Sequence, residues 1–321
     1  MTISMPRISE VSRRDFLGTL SAGAAGLALM SGVAAGRSIE RSEAGAQGER
    51  SRFRRAYAPH LGMFRHLGGD DPLEQIRFMA GEGFAALEDN SFLNRPLREQ
   101  EKIARGLAHH GMRMGLFVGS ADFGNPTFAS GRKDFRLQVL GDVSRAAEAA
   151  RRANASGFIV VPGRRDEWLS DDCQQANAVD LLKRCAEICE RTNTRMFLEP
   201  LNHWGRSPQM YLHSMAQGGE LCEAVGSDHC RLLFDLYHQA VTEPDVLELA
   251  AKHWDNIGYF QIGDFPGRKE PGTGSFDFRR FFALTDSRGY DGLFGMEHGN
   301  SAPGIEGERA VVAAYRRLER A

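Results

Sequence analysis

From Arg55 to the end of the 321-residue chain, short apolar runs alternate with longer amphipathic stretches. That alternation is the tightest constraint on the fold, because strands separated by helices pair in parallel. The runs cover residues 57–64, 84–87, 112–118, 158–161, 196–199, 232–235, 258–261 and 293–297. Helix-like periodicity fills residues 73–82, 99–110, 135–154, 176–192, 212–225, 246–253, 278–288 and 307–318. Gly or Asn stands near the helix-to-strand joins, at Gly83, Gly111, Asn154 and Gly289, where a helix needs a C-terminal cap. Eight such units match a closed barrel of the ~250-residue class. The expected fold class is therefore α/β, a (β/α)8 TIM barrel forming a single domain. An open doubly wound sheet would carry a Gly-rich phosphate loop after its first strand, and His66-Leu-Gly-Gly-Asp-Asp71 is not one.

Four of these runs end in an oxygen-bearing side chain. They are Arg195-Met-Phe-Leu-Glu199, Leu232-Leu-Phe-Asp235, Ile257-Gly-Tyr-Phe-Gln261 and Gly292-Leu-Phe-Gly-Met-Glu297. One acid at a strand end is often only the start of a polar loop. Four on consecutive strands, the fifth to the eighth, point instead to one hard-cation site at the catalytic mouth of the barrel. An oxygen-only set favours Mg²⁺ or Mn²⁺ over zinc, which prefers nitrogen and sulfur. Three carboxylates nearly neutralise such an ion and leave positions open for a substrate. Glu199 and Glu297 could then exchange a proton with a carbon acid, while the ion stabilises the enediolate that forms. This is the chemistry of aldose–ketose isomerases and ketose epimerases.

The N-terminus reads as an address. Ser12-Arg13-Arg14-Asp15-Phe16-Leu17 precedes a mildly apolar stretch rich in Ala and Gly, and Val33-Ala34-Ala35 offers a small-residue cleavage site. This layout resembles a bacterial twin-arginine export signal. The expected division is a signal segment over 1–35, a flexible linker over 36–54 and the barrel over 55–321. The expected location is the periplasm, with the twin-arginine export machinery as a partner. That route carries folded proteins, which suits a metal site assembled before export.

A formal net charge of -2 with interspersed signs gives no case for nucleic acid. Five cysteines leave at least one thiol without an intramolecular partner. Cys185 and Cys189, four apart on an expected helix, read as packing residues rather than as zinc ligands.

Glu199-Pro-Leu-Asn-His203, Phe234-Asp-Leu-Tyr-His238, the segment from Phe260-Gln-Ile-Gly-Asp264 through Arg268 to Gly274, and Gly295-Met-Glu297 resemble the hydroxypyruvate isomerase family, within the xylose-isomerase-like TIM barrels. The resemblance is strongest over residues 195–300. It implies that Glu199, Asp235, Gln261 and Glu297 hold one divalent cation and that Glu199 and Glu297 double as the acid/base pair. It further implies that His238 hydrogen-bonds a substrate oxygen and that Arg268 binds a carboxylate or hydroxyl group. His203 and Glu88 join them as pocket-lining candidates for substrate binding.

The implied activity is a metal-dependent isomerase (an intramolecular oxidoreductase) that interconverts a small hydroxy-carbonyl compound through an enediolate. Hydroxypyruvate and tartronate semialdehyde are the type pair. The partner is then a small hydroxy-keto acid or keto-sugar, and a homo-oligomer is compatible with the reading. Glu199-Pro-Leu-Asn202 also resembles the sugar epimerase branch, in which a His is expected where Gln261 stands. Ser275-Phe276 occupies the place where the isomerases usually carry Glu-Ile. A ketose 3-epimerase or keto-sugar lyase using the same site, and an exported sugar-binding barrel without turnover, therefore stay open.

Overall fold

A computed structural model describes residues 52–155, 157–202 and 209–320. The expected signal segment, most of the expected linker and His203 lie outside the described residues. Among the described residues, nine strand segments occupy eight barrel positions: β1 Ala56–Pro59, β2 Ala86–Leu87, β3 Arg113–Met114, β4 Val118–Ala121, β5 Gly157–Val161, β6 Arg195–Leu198, β7 Cys230–Asp235, β8 Ile257–Gln261 and β9 Leu293–Met296. Seven form one parallel sheet in the order β1-β9-β8-β7-β6-β5-β4, and β2 pairs with β3. The gap between β1 and β2 is bridged at His60 and Glu88. There the Glu88 N–H donates to the Pro59 carbonyl at 3.0 Å and the Leu61 N–H to the Glu88 carbonyl at 2.8 Å.

The other seam differs from expectation. The run over 112–118 is not one strand; it divides into β3 and β4. Gly115 lies between them, and a Cβ there would come within 2.9 Å of both the Glu88 Cγ and the Tyr259 hydroxyl. The backbone therefore passes directly over buried side chains at this bend. Pairing still bridges the break, with the Gly115 N–H on the Leu87 carbonyl at 2.7 Å and the Ile159 N–H on the Phe117 carbonyl at 2.8 Å. The barrel thus takes eight positions from nine segments.

All eight expected helices form, at Pro72–Gly81, Leu97–His109, Lys133–Ala153, Asp171–Thr192, Met215–Val225, Val246–Lys252, Phe278–Ser287 and Gly304–Leu318. Asp71, Ser170, Ser214, Asp245 and Asp277 cap helix N-termini by accepting backbone N–H bonds. Asn154 and Asn193 end two long helices in the left-handed conformation, each at φ 51°. Two further short helices, Arg65–Gly68 and Leu236–Thr242, have no counterpart in the apolar periodicity.

Strand alternation sorts the core into two layers and orients the site. Met196, Leu198, Leu232, Phe234, Phe260, Phe294 and Met296 belong to the large cluster between sheet and helices. Ala58, Ala86, Phe197, Leu233, Tyr259 and Leu293 belong to a second, smaller cluster inside the barrel. Side chains alternate faces along a strand, so two residues beyond each inner position the chain faces inward again. Stepping from Phe197, Leu233 and Tyr259 reaches Glu199, Asp235 and Gln261. Stepping twice from Leu293 reaches Gly295 and then Glu297; stepping from Ala58 and Ala86 reaches His60 and Glu88. The polar ring is the top layer of the inner face.

Packing begins before the boundary drawn at residue 55: Phe53 is buried, and its ring lies 4.8 Å from that of Phe84. All five cysteines are free; Cys185, Cys189, Cys222 and Cys230 are buried and Cys173 is exposed.

Candidate active site

β7, β8 and β9 carry the centre of the site in register: Asp235 pairs with Gln261, and Gln261 with Gly295. Glu199 and Glu297 each follow the last residue of a strand, β6 and β9. Glu88, Asp235, Gln261 and His238 are 0% exposed, and Glu199 is 2% exposed. Carboxylates buried to that degree need hydrogen bonds, countercharge or protons.

The countercharge present comes from two groups. Arg268 Nη2 donates to Asp235 Oδ2 at 2.6 Å and lies 3.6 Å from Glu297 Oε1. His60 Nε2 lies 3.0 Å from Glu88 Oε2. Arg268 is held by its own loop. The buried Asp264 carboxylate accepts the N–H groups of Gly272, Gly274 and Phe276 at 2.8, 2.8 and 3.1 Å. Arg268, at φ 49°, donates its N–H to the Asp264 carbonyl at 2.7 Å and its Nε–H to the Glu297 carbonyl at 3.1 Å. A non-glycine residue in the left-handed region is uncommon, and here a dense set of bonds fixes it.

Three buried carboxylates, Glu88, Glu199 and Asp235, with the partly buried Glu297, against two cations leave an excess of negative charge. Burial, followed by the fields of Glu297 and Asp235, pushes the Glu199 carboxyl well above its ordinary range. Burial also raises Glu297; Arg268 and His60 oppose the rise, while Asp235 and Glu88 add to it. Burial lowers His60, but its hydrogen bond to Glu88 and the surrounding carboxylates outweigh burial and raise it. Protons or a metal ion must balance this cluster.

The donor set fits a hard divalent cation. Glu199 Oε1, Gln261 Oε1 and Glu297 Oε2 are buried and have no hydrogen-bond partner. Asp235 Oδ1 is committed to the helix that follows, accepting the Tyr237 and His238 N–H groups at 2.7 and 3.2 Å. Its Oδ2 is the oxygen that Arg268 neutralises. An orphaned buried oxygen is costly, and a cation shared by these three would satisfy them together.

His238 sits closer to this centre than the sequence implied. Its ring nitrogen groups with oxygens of Glu199 and Asp235 within 4.8 Å of one another. Nε2 lies 3.7 Å from Glu199 Oε1 and 3.8 Å from Asp235 Oδ2. The tautomer, however, argues against ligation. The Asn202 N–H donates to Nδ1 at 3.2 Å, which leaves the ring proton on Nε2, facing the site. Burial pulls the imidazole down to about 4, so the ring is neutral and presents one N–H donor.

The structure brings together Glu199, Asp235, Gln261, Glu297, His238 and Arg268, with Glu88 against the Gln261 amide. It adds His60, and Asn90, whose amide donates to Glu297 Oε1 at 3.3 Å. His60 was legible as the residue in phase with Ala58 on the first run. Asn90 follows no strand pattern and carried no signal.

The sequence pattern of the family described as "Xylose isomerase-like TIM barrel" matches residues 76–321. Hydroxypyruvate isomerase of Escherichia coli is 28% identical over 155 residues, which span 47% of this chain and 60% of that protein, less than two thirds of its length. The 2-oxo-tetronate isomerase of Cupriavidus necator is 25% identical over 232 residues, 70% of this chain and 86% of that one. Among solved structures, a 3-keto-D-glucoside 4-epimerase from E. coli superposes with a TM-score of 0.70 at 19% identity, covering 84% of this chain and 100% of its own. D-psicose 3-epimerase from Clostridium cellulolyticum H10 does so with a TM-score of 0.68 at 15% identity, covering 83% and 98%. At those identities the two structures share the fold with this chain. By its matched sequence and its barrel, the chain belongs to the xylose isomerase-like TIM barrel family.

Proposed function

We propose that this protein is a divalent-cation-dependent isomerase of small hydroxy-carbonyl compounds, of the hydroxypyruvate/tartronate semialdehyde type. The observation that carries this reading is the pair of glutamates, buried Glu199 and partly buried Glu297, each with a buried, unpartnered oxygen beside the same charge cluster. Glutamates raised above their usual range are suited to exchange protons near neutral pH. A cation held by Glu199, Asp235, Gln261 and Glu297, Mg²⁺ or Mn²⁺ by their oxygen chemistry, would supply positive charge to adjacent carbonyl and hydroxyl oxygens of the substrate.

The rest falls to the protein's own groups. One glutamate removes a proton from the hydroxyl-bearing carbon, and the electron pair left behind moves into an enediolate. The other glutamate delivers a proton to the former carbonyl carbon. The hydroxyl proton passes to the neighbouring oxygen, so the carbonyl shifts by one carbon and no atom is gained or lost. The His238 Nε2–H donates to a substrate oxygen, and the Arg268 guanidinium adds charge at the same mouth. The names of the similar isomerases support this class of substrate.

A ketose 3-epimerase uses the same proton exchange with return to the same carbon, and the epimerases among the structural neighbours keep that reading open. The test is product analysis of the purified protein with Mg²⁺ or Mn²⁺ on hydroxypyruvate and a panel of keto-sugars. Conversion of hydroxypyruvate to tartronate semialdehyde supports the isomerase. An inverted centre with the carbonyl unmoved makes the protein an epimerase, and cleavage makes it a lyase. Binding without turnover of any of them overturns the enzyme reading.

A further inference from the structure

Glu88 is the member of the polar ring that follows β2, and its carboxylate is turned onto other side chains of the ring. Its carboxylate is 0% exposed and sits between two side chains. His60 Nε2 approaches Oε2 at 3.0 Å on one side. On the other, the Gln261 Nε2–H group donates to both oxygens, at 3.4 and 3.5 Å. The backbone of Glu88 is fixed by its bridge to β1, and its carboxylate fills the space where Gly295 has no side chain. A Cβ on Gly295 would stand 2.4 Å from Oε2 and 2.5 Å from Oε1. Gln261 Oε1, at the other end of the same amide, is buried and has no partner.

A side-chain amide has two nearly isosteric ends, one that donates and one that accepts. Only the accepting end can serve a cation. A glutamine on β8 could present either end to the cation site, so a neighbour on its other side must choose. A carboxylate offers its two oxygens as acceptors, and it therefore selects the orientation with the amide nitrogen toward Glu88 and the amide oxygen away from it. We propose that Glu88 is a positioning residue that locks the Gln261 amide with its oxygen turned toward the cation site, and that His60 and Gly295 hold Glu88 in place for this task. The inference rests on the reading of Gln261 as a cation ligand. It reassigns Glu88, expected from the sequence to line the substrate pocket, to a place behind a ligand, against the Gln261 amide nitrogen. Outer groups of this kind typically alter metal affinity by 10–100-fold.

The test exchanges donor and acceptor. Mn²⁺ binding to the full chain is measured by titration calorimetry and by the loss of the free-ion paramagnetic resonance signal, with thermal melts in EDTA to establish folding. E88Q places an amide against an amide and is expected to bind Mn²⁺ 10–100-fold more weakly than wild type. The double variant E88Q/Q261E puts a donor at position 88 and an oxygen toward the cation at position 261 at unchanged total charge, and is expected to recover affinity to within a few-fold of wild type. A role in packing alone would not produce that recovery. E88Q binding within threefold of wild type overturns the proposal, as does a folded double variant no tighter than E88Q. If E88Q does not fold, the double variant is compared with wild type directly: a loss below tenfold supports the proposal and a larger loss overturns it. Wild-type protein that binds no Mn²⁺ removes the cation site itself, a failure distinct from normal wild-type binding with an unaffected E88Q.

Discussion

The guanidinium of Arg268 and the carboxylate of Asp235 meet at 2.6 Å, and Asp235 is fully buried. The same aspartate caps the helix Leu236–Thr242 through its other oxygen. One side chain thus ties the end of β7, the turn that carries His238 and the loop over 264–276 to the same point. Removing one partner of a buried pair costs on the order of 3–5 kcal/mol, less where neighbouring carboxylates can take up a proton. The half-open position of Arg268 reduces that further.

R268A is therefore expected to lose about 2 kcal/mol or more of stability in EDTA. A divalent cation should recover much of that loss, because it supplies the charge the arginine supplied. Thermal melts of R268A and wild type, each in EDTA and in Mn²⁺, check this. A melting temperature for R268A equal to wild type in EDTA contradicts it.

Binding of the cation should itself stabilise the wild-type protein. A ligand that binds only the folded state adds about 2.7 kcal/mol at a hundredfold excess over Kd. The melting temperature should rise with Mn²⁺ or Mg²⁺ concentration, and the rise should be lost in D235N and E199Q. EDTA should abolish turnover, and added Mn²⁺ should restore it.

His238 gives a pH dependence with a definite sign. Burial depresses its folded-state pKa to about 4, below the value of 6.5 for an unperturbed ring. The unfolded chain therefore binds a proton first as pH falls, so the stability contribution is complete above pH 6.5 and is lost between 6.5 and 4. The loss is on the order of 3 kcal/mol for a fully buried ring. Glu199 and Glu297 act in the opposite sense: their raised pKa values favour the metal-free fold at low pH and disfavour it as pH rises above the ordinary carboxylate range. Melts of wild type and H238N in EDTA, across this window, isolate the histidine. The difference between them should narrow as pH drops toward 4, and a constant difference contradicts the account.

The order of strands and helices was readable because each run is long enough to show its period. So were Glu199, Asp235, Gln261 and Glu297, because each interrupts an apolar pattern at its last step. The division of the third strand was not readable, since Met112-Arg-Met-Gly-Leu-Phe-Val118 gives an unbroken strand pattern. What bends it is the contact of Gly115 with Glu88 and Tyr259, residues distant in sequence. The helix Leu236–Thr242 was hidden for a similar reason: its N-cap, Asp235, is also the end of a strand. The orientation of Gln261 depends on Glu88, 173 residues away, and no local pattern encodes it.

We propose that residues 1–35 direct export. Substitution of Arg13 and Arg14 by lysine should hold the unprocessed chain in the cytoplasm, while the wild-type chain appears shortened in the periplasmic fraction. Immunoblots of the two fractions check this, and equal export of both chains contradicts it.

The central claim is proton exchange at carbon by Glu199 and Glu297. The direct measurement is incorporation of solvent deuterium next to the carbonyl of hydroxypyruvate, followed by NMR in the presence of Mn²⁺ or Mg²⁺ and corrected for exchange without protein. Wild type should catalyse the exchange, and each single glutamine variant should slow it by about 10²–10⁴-fold. E199Q/E297Q should show none above background while retaining the fold and melting temperature of a stable barrel. Exchange in that double variant at the wild-type rate would contradict the account.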